Sequence, residues 1–220
     1  MKYKEPEWEK LNENKQKLRT FNKQEWTHFY DEWMCKERPR LDDSIIYPFY
    51  ALHPDIYNII RDKSFENVLD IGCANGTTLF SLYFGNHIKY GLGIDVSSLM
   101  IDYAKEYADK KNITELKFEN SLFENYTFNN TFDLILCTDI LEHFISVTVA
   151  LDKIYHLLCH NGLFCGRTPE NNTCDATPHL HYFTQESLSD LLGNYFLIYN
   201  VQRCETTNKD KMLSFYGVRV

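Results

Sequence analysis

The chain has 220 residues and a mass of 26.1 kDa, which suits one hydrophobic core and is short for two. Hydrophobic residues make up 44% and charged residues 25%, an ordinary globular balance that excludes wholesale disorder. The formal net charge of −8 argues against a nucleic-acid partner, and no apolar run reaches the roughly 20 residues of a membrane helix.

The first 62 residues predict a helical cap. Leucines and aromatic residues recur at helical spacings between Pro6 and Trp33, and a shorter helix is expected between Tyr47 and Arg61. Tyr30 and Trp33 are candidates for contact with a substrate, although spacings of three and four are equally those of a helix that faces a core. We expect this segment to act as a lid over a ligand site.

After residue 62, strand and helix patterns alternate. Strands are predicted at 68–71, 90–96, 116–119, 132–138, 162–167, 195–203 and 213–220, and helices at 77–84, 98–111, 147–158 and 184–192. This alternation predicts an α/β fold with a doubly wound, mostly parallel, Rossmann-like sheet of seven strands, and the two closing strands predict an antiparallel edge. We therefore expect one compact core over 63–220, with the N-terminal helical lid over 1–62 packed on it.

The strand at Val68 leads into a glycine turn, VLDIGCANG, which is followed by a helix. Gly72 and Gly76 carry no Cβ and let the backbone approach a ligand at the carboxyl end of the strand, where open α/β sheets bind ligands. Asp95 ends the next strand, 19 residues after Gly76. A carboxylate in that position can accept hydrogen bonds from two ribose hydroxyls.

The acid before the turn discriminates between two cofactor classes. A dinucleotide places its pyrophosphate at the helix N-terminus, and Asp70, two residues before Gly72, would repel it. The same carboxylate favours a ligand that carries an ammonium and a sulfonium group, as S-adenosylmethionine does. The turn therefore indicates this cofactor and argues against a dehydrogenase. In the alternative interpretation, Asp70 only caps the turn and the glycines only permit the bend.

Beyond this turn, the chain resembles the class I S-adenosylmethionine-dependent methyltransferases from about Asn67 to Leu192. The matching segments, in the family's order, are VLDIGCANG, GLGIDVS, FDLILCTDILEHF, LLCHNGLFCGRTPEN and HLHYFTQESLSDLL. The chain is most similar to the ubiquinone-biosynthesis O-methyltransferases and other small-metabolite methyltransferases. The resemblance implies an enzyme that transfers a methyl group from S-adenosyl-L-methionine to an oxygen or nitrogen of a small molecule, with S-adenosyl-L-homocysteine as the product.

The resemblance also implies which residues hold the cofactor. From the methionine end through ribose and adenine to the sulfonium they are Asp70, Gly72, Cys73, Ala74 and Gly76, then Asp95, then Val96, Asn120 and Ser121, and finally Thr138. The family usually has an aspartate opposite the adenine amino group, where this chain has Asn120 and Ser121. The side chains expected opposite the adenine amino group are therefore uncharged in this chain.

Histidines near the fourth and fifth strands are the candidates for acid–base chemistry. A hydroxyl acceptor needs a base, and a protonated amine must lose its proton. His143, in DILEHF, is the first candidate for this role, and His181 is the second. His179 is a candidate for substrate binding, because alternation places it on the same side as His181 if the segment is extended.

Two other interpretations remain open. Asp139, Glu142, His143 and His181 would together suit Mg²⁺ or Mn²⁺, in an arrangement similar to that of the small-RNA 3′-terminal 2′-O-methyltransferases. That family usually has Glu where Asp139 stands, and the acidic net charge argues against RNA. A divalent metal is thus an alternative cofactor that the sequence does not favour. The second interpretation is a cofactor-binding partner subunit without activity.

The cysteines and the first ten residues indicate the cellular compartment. The seven cysteines form no CxxC pair, and most lie in apolar runs, as is typical of reduced, buried thiols. The start, MKYKEPEWEK, contains no apolar signal region. We therefore expect a cytoplasmic protein with no zinc site. The sequence carries no signal for the identity of the methyl acceptor or for the oligomeric state.

Overall fold

The computed structural model describes residues 3–4, 13–37, 54–171, 179–205 and 211–220. Side chains in the helix that ends at Glu37 are described as far as residue 32. The predicted helical segments at 6–12 and 47–53 and the side chain of Trp33 lie outside this description. None of the described helices combines the length and apolarity needed to cross a bilayer.

The described elements follow the predicted order. The helices are α1 Glu13–Leu18, α2 Lys23–Glu37, α3 Pro54–Ile60, α4 Thr77–Phe84, α5 Ser98–Lys110, α6 Val147–Leu157 and α7 Gln185–Leu192. The strands are β1 Phe65–Ile71, β2 Ile88–Asp95, β3 Leu116–Asn120, β4 Phe132–Thr138, β5 Leu158–Pro169, β6 Ile198–Glu205 and β7 Lys211–Val218. Short 3₁₀ turns occupy Phe123–Asn125 and Leu141–His143.

Strand β5 is longer than predicted. Leu158, at the end of α6, already has extended backbone, so the helix passes into the strand without a loop. The predicted cap of α7 is confirmed. The hydroxyl of Thr184 accepts the N–H of Ser187, and the hydroxyl of Ser187 accepts the N–H of Thr184.

The seven strands form one sheet in the order β3-β2-β1-β4-β5-β7-β6. Strand β2 pairs in parallel with β1 and with β3, whereas β7 runs antiparallel to both β5 and β6. The predicted α/β fold, with a mostly parallel seven-stranded sheet and an antiparallel edge, is confirmed. Central strands such as β4 are buried almost throughout because both faces of such a sheet are covered.

The chain divides into two compact units, one of Met1–Thr20 with Ile135–Val220 and one of Phe21–Leu134. The fully buried side chains of the second unit include Leu69, Phe80 and Ile94, and those of the first include Phe164 and Phe215. The predicted division into a cap over 1–62 and a core over 63–220 stays a prediction.

Candidate active site

Two glycines with left-handed backbone shape the turn after β1. Gly72 has a φ of 72° and Gly76 a φ of 79°, a backbone region that residues other than glycine rarely adopt. A Cβ on Gly76 would lie 2.6 Å from the Cε1 atom of Phe118. The N–H groups of Gly72 and Cys73 both donate to the carbonyl of Ile94, at 2.8 and 3.1 Å, and so tie the turn to β2.

The carboxylate of Asp95 links the glycine turn to the start of α5. It accepts the N–H of Ala74 on Oδ2 and the N–H of Ser97 on Oδ1, both at 2.8 Å, and Asp95 is buried. The sequence assigns Asp95 only to ribose and does not reveal its bond to Ala74, which joins residues 21 positions apart that only folding brings together.

Acidic side chains give the glycine turn a negative character. Asp70 is 4% exposed and lies in β1, beside the turn. Burial raises the pKa of the Cys73 thiol well above its ordinary value, and the charges of Asp95 and Asp70 raise it further. Such a site matches a ligand that carries positive charge at this end, and it opposes a pyrophosphate.

Asn120 is the last residue of β3 and Ser121 follows it, and the side chains of both bond to the backbone. The Nδ2 group of Asn120 donates to the carbonyls of Val96 at 2.8 Å and Asp95 at 3.3 Å. The Ser121 hydroxyl donates to the carbonyl of Leu122 at 3.1 Å, and the Ser121 N–H donates to that of Asp95 at 2.9 Å. The donor groups of both side chains therefore bond to backbone carbonyls of the segments at the ends of β2 and β3.

In the other unit, the chain turns sharply after Thr138, the half-buried last residue of β4. Asp139 has a left-handed backbone with a φ of 57°, and its N–H donates to the carbonyl of Arg167 at 2.8 Å. Both carboxylate oxygens of Asp139 accept hydrogen bonds from the Arg167 guanidinium, one of them from Nε at 3.1 Å. Asp139 is thus engaged in an ion pair.

Three side chains that could bind a metal meet beyond this turn: Glu142, His143 and His179, which we call the glutamate–histidine cluster. One ligand atom from each lies within 4.8 Å of the others. The His143 and His179 rings are 4.9 Å apart in an edge-to-face arrangement. The cluster follows the carboxyl end of β4, and this is the edge at which open α/β sheets bind ligands.

Glu142 is a buried carboxyl group within the cluster. It is 2% exposed, and its Oε2 accepts the Thr168 hydroxyl at 2.9 Å. Within the described part of the chain, Oε1 has no hydrogen-bond partner, and it lies 3.9 Å from Nε2 of His143. Burial, and secondly the charge of Asp139, raises the pKa of Glu142 to about 8.

His181 lies outside the cluster. Its Nε2 bonds to the carbonyl of Phe144 at 2.6 Å, and its Nδ1 bonds to the hydroxyl of Tyr3 at 2.7 Å. Because a carbonyl only accepts, Nε2 carries the proton and Nδ1 accepts from Tyr3. The backbone N–H groups of Leu180 and His181 also donate to the carbonyl of Glu142, at 2.7 and 3.2 Å.

The structure corrects the metal-ligand set that we considered from the sequence. Asp139 is paired with Arg167, and both ring nitrogens of His181 are bonded elsewhere, so neither joins Glu142 and His143. His179 takes that place instead. Residues 179–182 belong to none of the described strands, and of the two histidines that we expected on one side, only His179 joins the cluster.

Helix α2 carries the aromatic residues that the sequence assigned to a lid. Trp26 is 2% exposed and stacks on Tyr30, with ring centroids 5.7 Å apart, and Phe29 packs edge-on against both rings. Trp26 therefore faces a core, whereas Tyr30 is only half-buried. The assignments of Tyr30 and Trp33 to the substrate remain predictions.

The sequence of residues 62–212 matches the family model described as a methyltransferase domain. This chain belongs to that family. The predicted resemblance to class I S-adenosylmethionine-dependent methyltransferases is confirmed, and S-adenosyl-L-methionine is the cofactor.

Curated relatives are similar over parts of their length. Nodulation protein S of Azorhizobium caulinodans is 24% identical over 155 residues, which cover 69% of this chain and 72% of that protein. The ubiquinone biosynthesis O-methyltransferase of Bradyrhizobium diazoefficiens is 31% identical over 141 residues, 57% of this chain and 54% of the enzyme. An uncharacterized methyltransferase of Bacillus subtilis, YcgJ, is 30% identical over 100 residues, and the match spans 39% of its length.

Solved structures show the same fold at low sequence identity. The N-methyltransferase NodS of Bradyrhizobium japonicum, in complex with S-adenosyl-L-homocysteine, gives a TM-score of 0.62 at 17% identity and covers 94% of this chain and 99% of its own. The plantazolicin methyltransferase BamL gives 0.64 at 14% identity and covers 93% of each chain.

Proposed function

We propose that this chain is a methyltransferase that transfers the methyl group of S-adenosyl-L-methionine to a small-molecule acceptor. The observation that carries the proposal is the acidic glycine turn: two left-handed glycines, with the buried carboxylates of Asp70 and Asp95 beside them. When bound, the cofactor supplies an activated methyl group on a sulfonium, so the protein's task is mainly alignment.

We assign the residues of the turn to the cofactor as the sequence predicts. Asp70, Gly72, Cys73, Ala74 and Gly76 would border the methionine part. Asp95, buried at the carboxyl end of β2, would accept from the ribose hydroxyls. Val96 would pack on adenine, Asn120 and Ser121 would meet its edge, and Thr138 would lie beside the sulfonium.

For a base we propose His143 in preference to His181. Nε2 of His143 lies 3.9 Å from Oε1 of Glu142, and its ring packs edge-on against the imidazole of His179, so the ring has polar neighbours on two sides. Both nitrogens of His181 are held by Phe144 and Tyr3, so a base there would first have to break a hydrogen bond. His181 then acts as a positioning residue that orients the backbone around Glu142. His179, in contact with His143, would face the acceptor.

The small-molecule acceptor is supported by the relatives. Those named for a product or pathway include the ubiquinone biosynthesis O-methyltransferase and the plantazolicin methyltransferase, whereas the net charge of −8 opposes a nucleic-acid acceptor. The cysteines form no CxxC pair and lie mostly in apolar runs, and this supports the predicted reducing, cytoplasmic setting.

A divalent cation at the glutamate–histidine cluster is the second candidate. The buried Oε1 of Glu142 faces two imidazoles without a hydrogen-bond partner among the described residues, a donor set that suits a transition-metal ion. Glu142, His143 and His179 would hold such an ion, which would lower the pKa of an acceptor hydroxyl. Activity that is lost with EDTA and restored by Mn²⁺ supports this reading; full activity in EDTA contradicts it.

The primary test is calorimetric titration of S-adenosylmethionine and S-adenosylhomocysteine into the full chain, with Asp95→Asn as the control. We expect micromolar binding that the substitution weakens. Methyl-tritiated cofactor is then offered with phenols, catechols, carboxylic acids and primary amines, and label is counted in the extracted products. A folded chain that binds neither ligand would overturn the proposal. Binding without transfer to any of these classes would favour the cofactor-binding subunit instead.

A further inference from the structure

Helix α2 places three polar side chains in one line. Lys23, Thr27 and Asp31 follow one another at intervals of four residues, so they share one face of the helix. Lys23 bonds to the last residue of β3, and Thr27 and Asp31 bond to the segment that follows β2. These segments hold the residues assigned to the adenosine part of the cofactor.

The first two contacts are to backbone carbonyls. The ammonium group of Lys23 donates to the carbonyl of Asn120 at 2.6 Å. The hydroxyl of Thr27 donates to the carbonyl of Val96 at 2.9 Å, and the same carbonyl also accepts Nδ2 of Asn120 at 2.8 Å. Thr27 therefore holds the residue that we assign to adenine.

The third contact is made to the first turn of α5, whose N-cap residue is Ser97. The carboxylate of Asp31 accepts the hydroxyls of Ser97 at 2.5 Å and Ser98 at 2.7 Å, together with the N–H of Leu99 at 3.2 Å. A negative charge at this place is favoured by the dipole of α5 and satisfies one of its unpaired N–H groups. The carboxylate thus fixes the first turn of α5 to α2.

The contacts of Asp31 lead directly to the ribose-binding carboxylate. Ser97 has no exposed surface; its hydroxyl donates to Asp31 and its N–H donates to Asp95 at 2.8 Å. A shift of Ser97 would therefore displace Asp95, and Asp95 also holds Ala74 in the glycine turn. Charge-assisted bonds of this kind are among the stronger ones in proteins.

We propose that α2 belongs to the cofactor site, with Lys23, Thr27 and Asp31 as positioning residues that hold the adenosine-binding loops in their binding geometry. Docking of α2 and binding of the cofactor are then thermodynamically linked, and each strengthens the other to the same extent. The inference rests on the cofactor assignment alone, so its test needs no methyl acceptor.

The test compares S-adenosylhomocysteine binding by calorimetry in three variants of the full chain. Asp31→Ala removes the carboxylate that accepts from Ser97, Ser98 and Leu99, and Thr27→Val removes one hydroxyl while keeping the side chain's shape. Glu32→Ala is the matched control, because Glu32 is the next residue, is 71% exposed and pairs with His28 at 3.3 Å. We expect Kd to rise about tenfold for Asp31→Ala and about threefold for Thr27→Val, and to stay within about twofold for Glu32→Ala.

Amide hydrogen exchange separates positioning from mere stabilisation. In the wild-type chain, S-adenosylhomocysteine should slow exchange in α2 and at Leu99, whose N–H donates to Asp31. In Thr27→Val, which is expected to fold, this protection of α2 should be smaller. A lower melting temperature with Kd and protection both unchanged in Thr27→Val would overturn the proposal, even if Asp31→Ala failed to fold. A wild-type chain that does not bind the ligand would instead contradict the cofactor assignment.

Discussion

The Oδ2 atom of Asp95 accepts the backbone N–H of Ala74 at 2.8 Å, across the glycine turn. Ala74 has a left-handed backbone with a φ of 47°, an uncommon conformation for a residue with a side chain. The hydrogen bond helps to hold Ala74 in that conformation. One carboxylate thus supports the shape of the turn, and in the function that we propose it also binds ribose.

Replacing Asp95 should separate these two roles. Asp95→Ala leaves the buried N–H groups of Ala74 and Ser97 without their acceptor, so we expect the free energy of unfolding to fall by about 1–3 kcal/mol. Asp95→Asn keeps one acceptor oxygen and should lose less stability, while still binding S-adenosylhomocysteine more weakly. Urea unfolding and calorimetry of both variants give the comparison. Equal stability of the two variants would show that the backbone bonds contribute little.

Gly76→Ala should damage the turn in two ways. The φ of 79° strains any residue with a side chain, and the new Cβ would lie 2.6 Å from a ring atom of Phe118. We expect a loss of about 1–3 kcal/mol in the free energy of unfolding, together with weaker cofactor binding. Gly85→Ala is the control, because Gly85 directly follows α4 and has an ordinary φ of −76°. This substitution should change the free energy of unfolding by about 0.5 kcal/mol or less. Comparable losses in both variants would contradict the strain argument.

Glu142 should make the protein less stable as the pH rises. Its pKa is about 8 in the folded protein, against 4.5 for the ordinary carboxyl of the unfolded chain. Between these values the folded state binds more protons than the unfolded state, so the free energy of unfolding falls with rising pH, and the loss is complete above about pH 8. Glu142→Gln removes the ionisable group and with it this pH-dependent loss of stability. The variant should therefore gain stability relative to wild type between about pH 5 and 8.5.

Urea unfolding in EDTA at several pH values measures this difference. Glu186→Gln is the matched control, because Glu186 is exposed and its pKa is lowered, chiefly by a backbone hydrogen bond. A group of that kind stays ionised in both states over this range, so its variant should run parallel to wild type. If the stability of Glu142→Gln also runs parallel to that of wild type, Glu142 is already ionised at neutral pH and the prediction is wrong.

The two histidines should respond differently to substitution. Once an acceptor is in hand, His143→Gln should lower kcat by about 10²–10⁴ and remove the acidic limb of the pH profile, with cofactor binding unchanged. His181→Ala removes two hydrogen bonds of a buried ring and should cost about 1–3 kcal/mol of stability. What turnover remains in His181→Ala should keep the acidic limb. Loss of that limb in His181→Ala alone would make His181 the base.

The sequence itself was sufficient for the order of the elements and for the glycine turn. Apolar periodicity and the two glycines act over a few neighbouring residues, and the turn at Gly72–Gly76 forms from residues that are adjacent in the chain. The ends of elements were less predictable: β5 begins at Leu158, because the backbone passes straight from helix to strand.

Only the tertiary structure decided which side chains meet across long separations. Alternation could not distinguish His179 from His181, because the position of this segment depends on its hydrogen bonds to the carbonyls of Glu142 and Phe144. The bonds of Asp31 to Ser97 and Ser98 join residues 66 and 67 positions apart. Periodicity reports which face of an element is buried and carries no information about the partner, so such pairs exist only once the chain has closed its loops.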